Sequence, residues 1–118
     1  MQQIQLPPLA EGEVYLGGFV NATGDVEHVI LLPGDIRATW HKAKEWAESL
    51  GGDLLNRYEQ AFAFSKHPDL FEKAAYWSNT EDAEDPGWAW CQLFTNGTQH
   101  YSRQYNEFRA RAVRRLSI

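Results

Sequence analysis

The sequence predicts an α+β fold: an N-terminal hairpin, two main helices and a β-rich C-terminal half of antiparallel strands. Three observations lead to that expectation. Short apolar runs bounded by turn residues mark strands near the start, and apolar residues alternate with period two over the last third. Between these stretches the spacing changes to that of a helix. One Asn-Gly pair, Asn96-Gly97, separates two strand-like runs, and this pair is the strongest short-range hairpin signal. Strands, then helices, then strands again make an α+β plan.

Each element follows from local chemistry. Residues 1–12 carry Pro7 and Pro8 and no period, which suits an extended lead-in. The remainder, 13–118, is expected to be one domain. Residues 13–20 read as a strand with a bulge or close backbone approach at Gly17-Gly18. The turn-rich segment 21–25 joins it to a second strand over 28–33. Trp40, Ala43, Ala47 and Leu50 then share a helical stripe flanked by Trp46. Thr39 is placed to cap that helix, and Gly51-Gly52 to close it.

Asn56 with Glu59 forms a capping-box pattern for a second helix, whose shared face is expected to be Tyr58, Ala61, Phe62 and Ser65. Pro68 stops that helix, and residues 69–72 repeat the capping pattern for a short third turn. Residues 75–78 form a short strand, and 81–85 an acidic loop ending at Pro86-Gly87. In the strand 88–94, Trp88, Trp90, Gln92 and Phe94 share one face, and Ala89, Cys91 and Leu93 the other. The return strand 98–104 is polar on both faces. A closing strand over 108–116 places Phe108, Ala110, Ala112 and Leu116 with Arg114 on one face. Arg109, Arg111 and Arg115 stand opposite, beside Val113.

Composition narrows the function. Net charge is −5, yet from Arg103 onward five arginines face the single acid Glu107, which makes +4 there and −9 before it. The arginines are expected to pair internally or to line a contact between copies in a homo-oligomer. Nucleic acid is not the expected partner. Cys91 is the only cysteine, so no intramolecular disulfide forms, and no zinc pattern surrounds it. The four histidines are dispersed, and no phosphate-binding glycine loop is present. The expectation is a non-enzymatic protein without cofactor or metal. No signal peptide and no membrane-length apolar run are legible, so membrane insertion is not expected.

Five motifs in order resemble the C-type-lectin-like domains of the Lcl C-terminal type, found in phage and bacterial surface-associated proteins. They are TWHKAKEWAESLGGDL (39–54), NRYEQAFAFS (56–65), YWSNTE (76–81), GWAWCQLFTNG (87–97) and FRARAVRRL (108–116). The lead-in LPPL…YLGGF…HVILLPG also resembles that of prophage members. One departure is Leu54-Leu55-Asn56-Arg57, where such domains often have Leu-Pro-Thr/Ser-Arg. Leu55 in place of proline suggests local loosening, with the capping chemistry kept by Asn56. The resemblance implies a virion-associated or host-cytoplasmic location. Calcium-held sugar binding is not implied, because the paired Glu-Pro-Asn and Trp-Asn-Asp signatures are missing; the acidic residues 81–85 are expected to form a solvated loop.

These domains are also similar to the variable proteins of diversity-generating retroelements. That similarity implies a ligand surface of Leu93, Thr95, Thr98, His100, Tyr101, Ser102, Arg103, Gln104, Tyr105 and Asn106. The residue types agree with the role, since Tyr and Arg combine large contact area with directional hydrogen bonds. The implied ligand is a protein or cell-surface component. Trp77, Trp88, Trp90, Cys91 and Phe108 are expected to be frame. The alternative is a structural or assembly subunit of a phage particle or surface complex, joined through the arginines.

Overall fold

Gly17 shows how the N-terminal hairpin is built. Strand β1 (Val14–Val20) pairs antiparallel with β2 (Val26–Leu31), and their register shifts between Tyr15 and Gly17. A side chain at Gly17 would sit 3.2 Å from the Phe62 ring, so the bulge and the bare backbone let a helix pack closely. These coordinates are a computed structural model that describes residues 5–117. Residues 1–4 of the expected lead-in, and residue 118, lie outside the described residues.

The element order after the hairpin is β3 (Ile36–Ala38), α1 (Trp40–Ser49), β4 (Asp53–Leu54) and α2 (Arg57–Lys66). A 3-10 turn at Pro68–Leu70 follows, then β5 (Ala75–Glu81), β6 (Trp88–Leu93), β7 (Gln99–Arg103), β8 (Phe108–Ala110) and β9 (Ala112–Ser117). Two helices and nine strands over the described residues make the fold α+β. The strands form a four-stranded sheet, β1-β2-β9-β4, and a five-stranded sheet, β3-β8-β5-β6-β7.

Two core clusters lie on opposite faces of the five-stranded sheet. Trp77, Ala89 and Cys91 pack with Trp40, Ala43 and Ala47 of α1. Tyr76 and Phe94 pack with Phe71, Leu55, Ala63 and the β2 residues Val29 and Leu31. The register pairs Tyr76 with Gln92 and Trp77 with Cys91, so alternation sends successive β5 side chains to different clusters. The buried indoles are satisfied: Trp40 Nε1 donates to the Ser78 carbonyl at 2.8 Å, and Trp77 Nε1 to the Ala38 carbonyl at 3.1 Å. Phe108 is partly buried against the first cluster.

Several sequence expectations need correction. Thr39 occupies the N-cap position of α1, but its hydroxyl makes no capping bond. Leu50 is exposed, so the α1 stripe ends at Ala47. The buried face of α2 is Glu59, Gln60 and Ala63; Tyr58, Ala61 and Ser65 face outward. That face is polar because both polar side chains have specific partners: Arg115 binds Glu59, while Gln60 Nε2 donates to the Tyr76 and Trp77 carbonyls. The turn after α2 begins at Pro68 rather than Asp69. Strand β5 continues three residues beyond Ser78, to Glu81.

Leu55, expected to loosen the chain, is 1% exposed and its carbonyl accepts from the Asn79 N–H at 2.9 Å. The expected closing strand is two strands in two sheets. The chain leaves β8 at Arg111 and enters β9, where Ala112 and Val113 are both buried.

Candidate binding surface

Strand alternation and one tight loop build the surface. Leu93 N donates to the Thr98 carbonyl at 2.8 Å, closing a loop over residues 94–97. Gly97 has φ +84°, which favours glycine, and a Cβ there would come within 2.5 Å of the Phe64 ring. Asn96 Oδ1 accepts from both Thr98 N (3.1 Å) and Thr98 Oγ1 (2.8 Å). The loop therefore fixes the register that follows: Cys91 opposite His100, Trp90 opposite Tyr101, Ala89 opposite Ser102 and Trp88 opposite Arg103.

This register divides the predicted site. Tyr101 and Arg103 lie on the same face as Trp88 and Trp90. The Tyr101 ring makes tilted edge contacts with Trp90 and Trp88, with centroids 5.2 and 5.6 Å apart. The Arg103 guanidinium sits 4.8 Å from the Trp88 centroid and 5.9 Å from that of Tyr105. At the other end, Arg57 reaches from the start of α2 and lies 3.6 Å over the Trp90 ring. Arg57 Nε donates to Gln99 Oε1 at 3.1 Å, and Gln99 Nε2 donates to the Arg57 carbonyl at 2.7 Å. The result is a continuous strip of cations and rings running from Arg57 to Tyr105.

Exposure sorts the remaining predicted residues. Tyr101 is 48% exposed and Tyr105 70%, so both rings are open to a partner. Thr95, Thr98 and His100 are exposed near the loop, and Asn106 is exposed past the turn. His100 and Ser102 share the opposite face of the strand with Cys91 and Ala89. Leu93 and Ser102 are half-buried. Gln104 is a correction, being only 7% exposed, with Nε2 donating to Glu81 Oε2 at 2.8 Å and to the Trp88 carbonyl at 3.1 Å. It belongs to the frame.

Trp88 and Trp90 are a correction in the other direction. Expected in the core, they are half-buried under the strip. Counting back from the Asn-Gly turn would have paired them with Arg103 and Tyr101. Arg57 carries no comparable sequence signal, because it arrives from a different element.

The electrostatics separate the arginines. Arg109 pairs with Asp35 at 3.0 Å, Arg114 with Glu13 at 2.8 Å, and Arg115 with Glu59 at 2.6 Å and Asp53 at 3.3 Å. The hydrogen bond from Arg114 holds the Glu13 carboxyl down to about 2. Arg111 donates to the Leu70 and Leu32 carbonyls. Arg57 and Arg103 make no ion pair among the described residues; their cations rest on ring faces. Burial pushes the Cys91 thiol up to about 11, so it is neutral at physiological pH and a poor nucleophile. Asp82, Glu84 and Asp85 lie in the loop before Trp88, with Asp82 Oδ1 accepting from Glu84 N. Among the described residues, no three His, Cys, Asp or Glu side chains converge as a metal site would need. None of the described helices is long and apolar enough to cross a membrane.

No protein-family model matches this chain, and a search of curated proteins finds no similar sequence.

Proposed function

We propose that the chain is a non-enzymatic binding domain with a C-type-lectin-like fold, of phage or prophage type, recognising a protein or cell-surface component. The observation that supports this reading most is the strip itself: open aromatic rings and unneutralised guanidinium groups standing on a sheet whose Tyr76, Trp77, Ala89 and Cys91 are buried in the core. Tyr side chains anchor interfaces at low entropic cost, and an Arg already resting on a ring face adds directional hydrogen bonds. The five ordered motifs supply the link to lectin-like domains of surface-associated proteins.

Diversification near the C-terminus belongs to the same proposal. Most of the implied variable positions lie on open surface, whereas Gln104 does not and would be held constant. Assembly through the arginines is the weaker alternative, since Arg109, Arg114 and Arg115 already have carboxylate partners within the chain.

The test is a triple replacement of Tyr101, Arg103 and Tyr105 by Ala. It is expected to abolish binding to a ligand selected from a panel of surface components and to leave the thermal midpoint nearly unchanged. Unfolding of the triple variant, or full retention of binding, would sink the reading.

A further inference from the structure

The strip lies on an open sheet edge. Strand β7 ends the five-stranded sheet, with β6 on one side only. Leu93 N bonds the Thr98 carbonyl, and Gln104 N bonds the Gly87 carbonyl. Antiparallel alternation then turns the even-numbered residues of this stretch toward β6. Gln99, Tyr101 and Arg103 therefore aim their backbone groups at the open edge. The Arg103 carbonyl is taken by Asn106 N at 3.0 Å. The amides of all three residues, and the carbonyls of Gln99 and Tyr101, have no partner among the described residues.

The other sheet edges are blunted in the usual ways. Strand β3 has three residues and β4 two, and β1 carries the bulge at Gly17. Strand β7 runs for five residues without bulge or proline. Its outward backbone and its strip side chains belong to the same three residues, so one bound strand would meet both.

We propose that β7 takes an extended acidic protein segment as an added strand, its carboxylates received by Arg103 and Arg57. This rests on the binding-domain reading and deepens it. A strand added beside β7 puts its side chains about 5 Å from those of Gln99, Tyr101 and Arg103. An acid opposite Arg103 forms a charge-assisted pair, and an apolar residue two positions on covers the Tyr101 ring. A second acid four positions on lies about 13 Å from the first, at the Gln99 end where Arg57 stands. The preferred pattern is acid-x-apolar-x-acid. A polyphosphate chain is disfavoured, because its phosphates accept hydrogen bonds but cannot donate to the open carbonyls of Gln99 and Tyr101, as a peptide strand does.

The test titrates the labelled protein with the peptide acetyl-Glu-Thr-Val-Thr-Glu-amide and follows amide NMR shifts and hydrogen exchange. Binding is expected to slow exchange at Gln99, Tyr101 and Arg103. Arg103→Glu and Arg57→Glu should each weaken binding about tenfold, through lost charge pairing. Tyr101→Pro, whose missing N–H faces the open edge, should remove binding while β6 pairing persists. Equal binding of the Lys-Thr-Val-Thr-Lys peptide overturns the proposal, as does tighter binding of a thymidine oligonucleotide. Retained binding by Tyr101→Pro overturns strand addition. Concentration-dependent dimerisation that protects the same amides without peptide assigns the edge to a second copy and overturns the acidic partner. If the peptide fails while a selected surface ligand is still lost in the triple alanine variant, this inference falls and the binding-domain reading stands.

Discussion

Arginine plays opposite parts in two regions that both touch the start of α2, one through Glu59 and the other through Arg57. Under the helix, Arg115 binds Glu59 at 2.6 and 2.8 Å, Asp53 at 3.3 Å and the Leu54 carbonyl at 3.1 Å. Asn79 joins this web through Asp53 at 2.9 Å. Glu59 is 1% exposed and closes the capping box as well, accepting from Asn56 N. On the outer strip, Arg57 and Arg103 lie against indole and phenol rings and meet no carboxylate among the described residues. A guanidinium surrounded by carboxylates has its donors occupied and acts as a structural clasp. One resting on a ring face is oriented by the ring quadrupole and keeps most of its donors free for a partner. The same residue type is thus a buried clasp in one place and an exposed cation over a ring in the other, and the neighbours decide which.

Breaking the clasp should have the largest effect. Arg115→Ala leaves Glu59 buried without its cation, and a loss of about 3–5 kcal/mol in chemical denaturation is expected. A loss under about 1 kcal/mol would mean that the web is solvated and the contrast false. Asn56→Ala tests the edge of the same web. It removes the bond from Glu59 N at 2.8 Å but leaves the ion pair, so about 1 kcal/mol should be lost. The smallest effect belongs to the strip. Arg57→Ala and Arg103→Ala should each change stability by about 0.5 kcal/mol or less, measured by thermal melting. A cost comparable to that of Arg115→Ala would make the strip part of the frame.

The parts of the fold legible in sequence are the local ones. The Asn56–Glu59 capping box and the Asn96-Gly97 hairpin each depend on residues a few positions apart, and both form as expected. The face of α2 was misread because hydrophobicity cannot show that Glu59 is neutralised by Arg115, 56 residues further on. Period-two alternation runs unbroken from Phe108 to Ala112, across the junction, so the change of sheet at Arg111 leaves no mark in the pattern there. Of the candidate surface, the exposed positions Tyr101 and Arg103 on β7 and Tyr105 just past it were legible. Its floor was not: size placed Trp88 and Trp90 inside, and only the cross-strand register with Arg57 overhead sets them at the surface.

The passage through Arg111 also bears on how the molecule assembles. Strand β9 lies between β2 and β4, so the N-terminal hairpin and the helical segment share a sheet only after β9 is in place. Its pairing with β2 joins Glu27 to Ser117 and Leu31 to Val113, contacts that close most of the chain into a loop. Loop closure of that length is entropically costly before any native contact compensates it. Folding should therefore be slow for a chain of this size, with the hairpin and α2 forming early and waiting for the strand that locks them together.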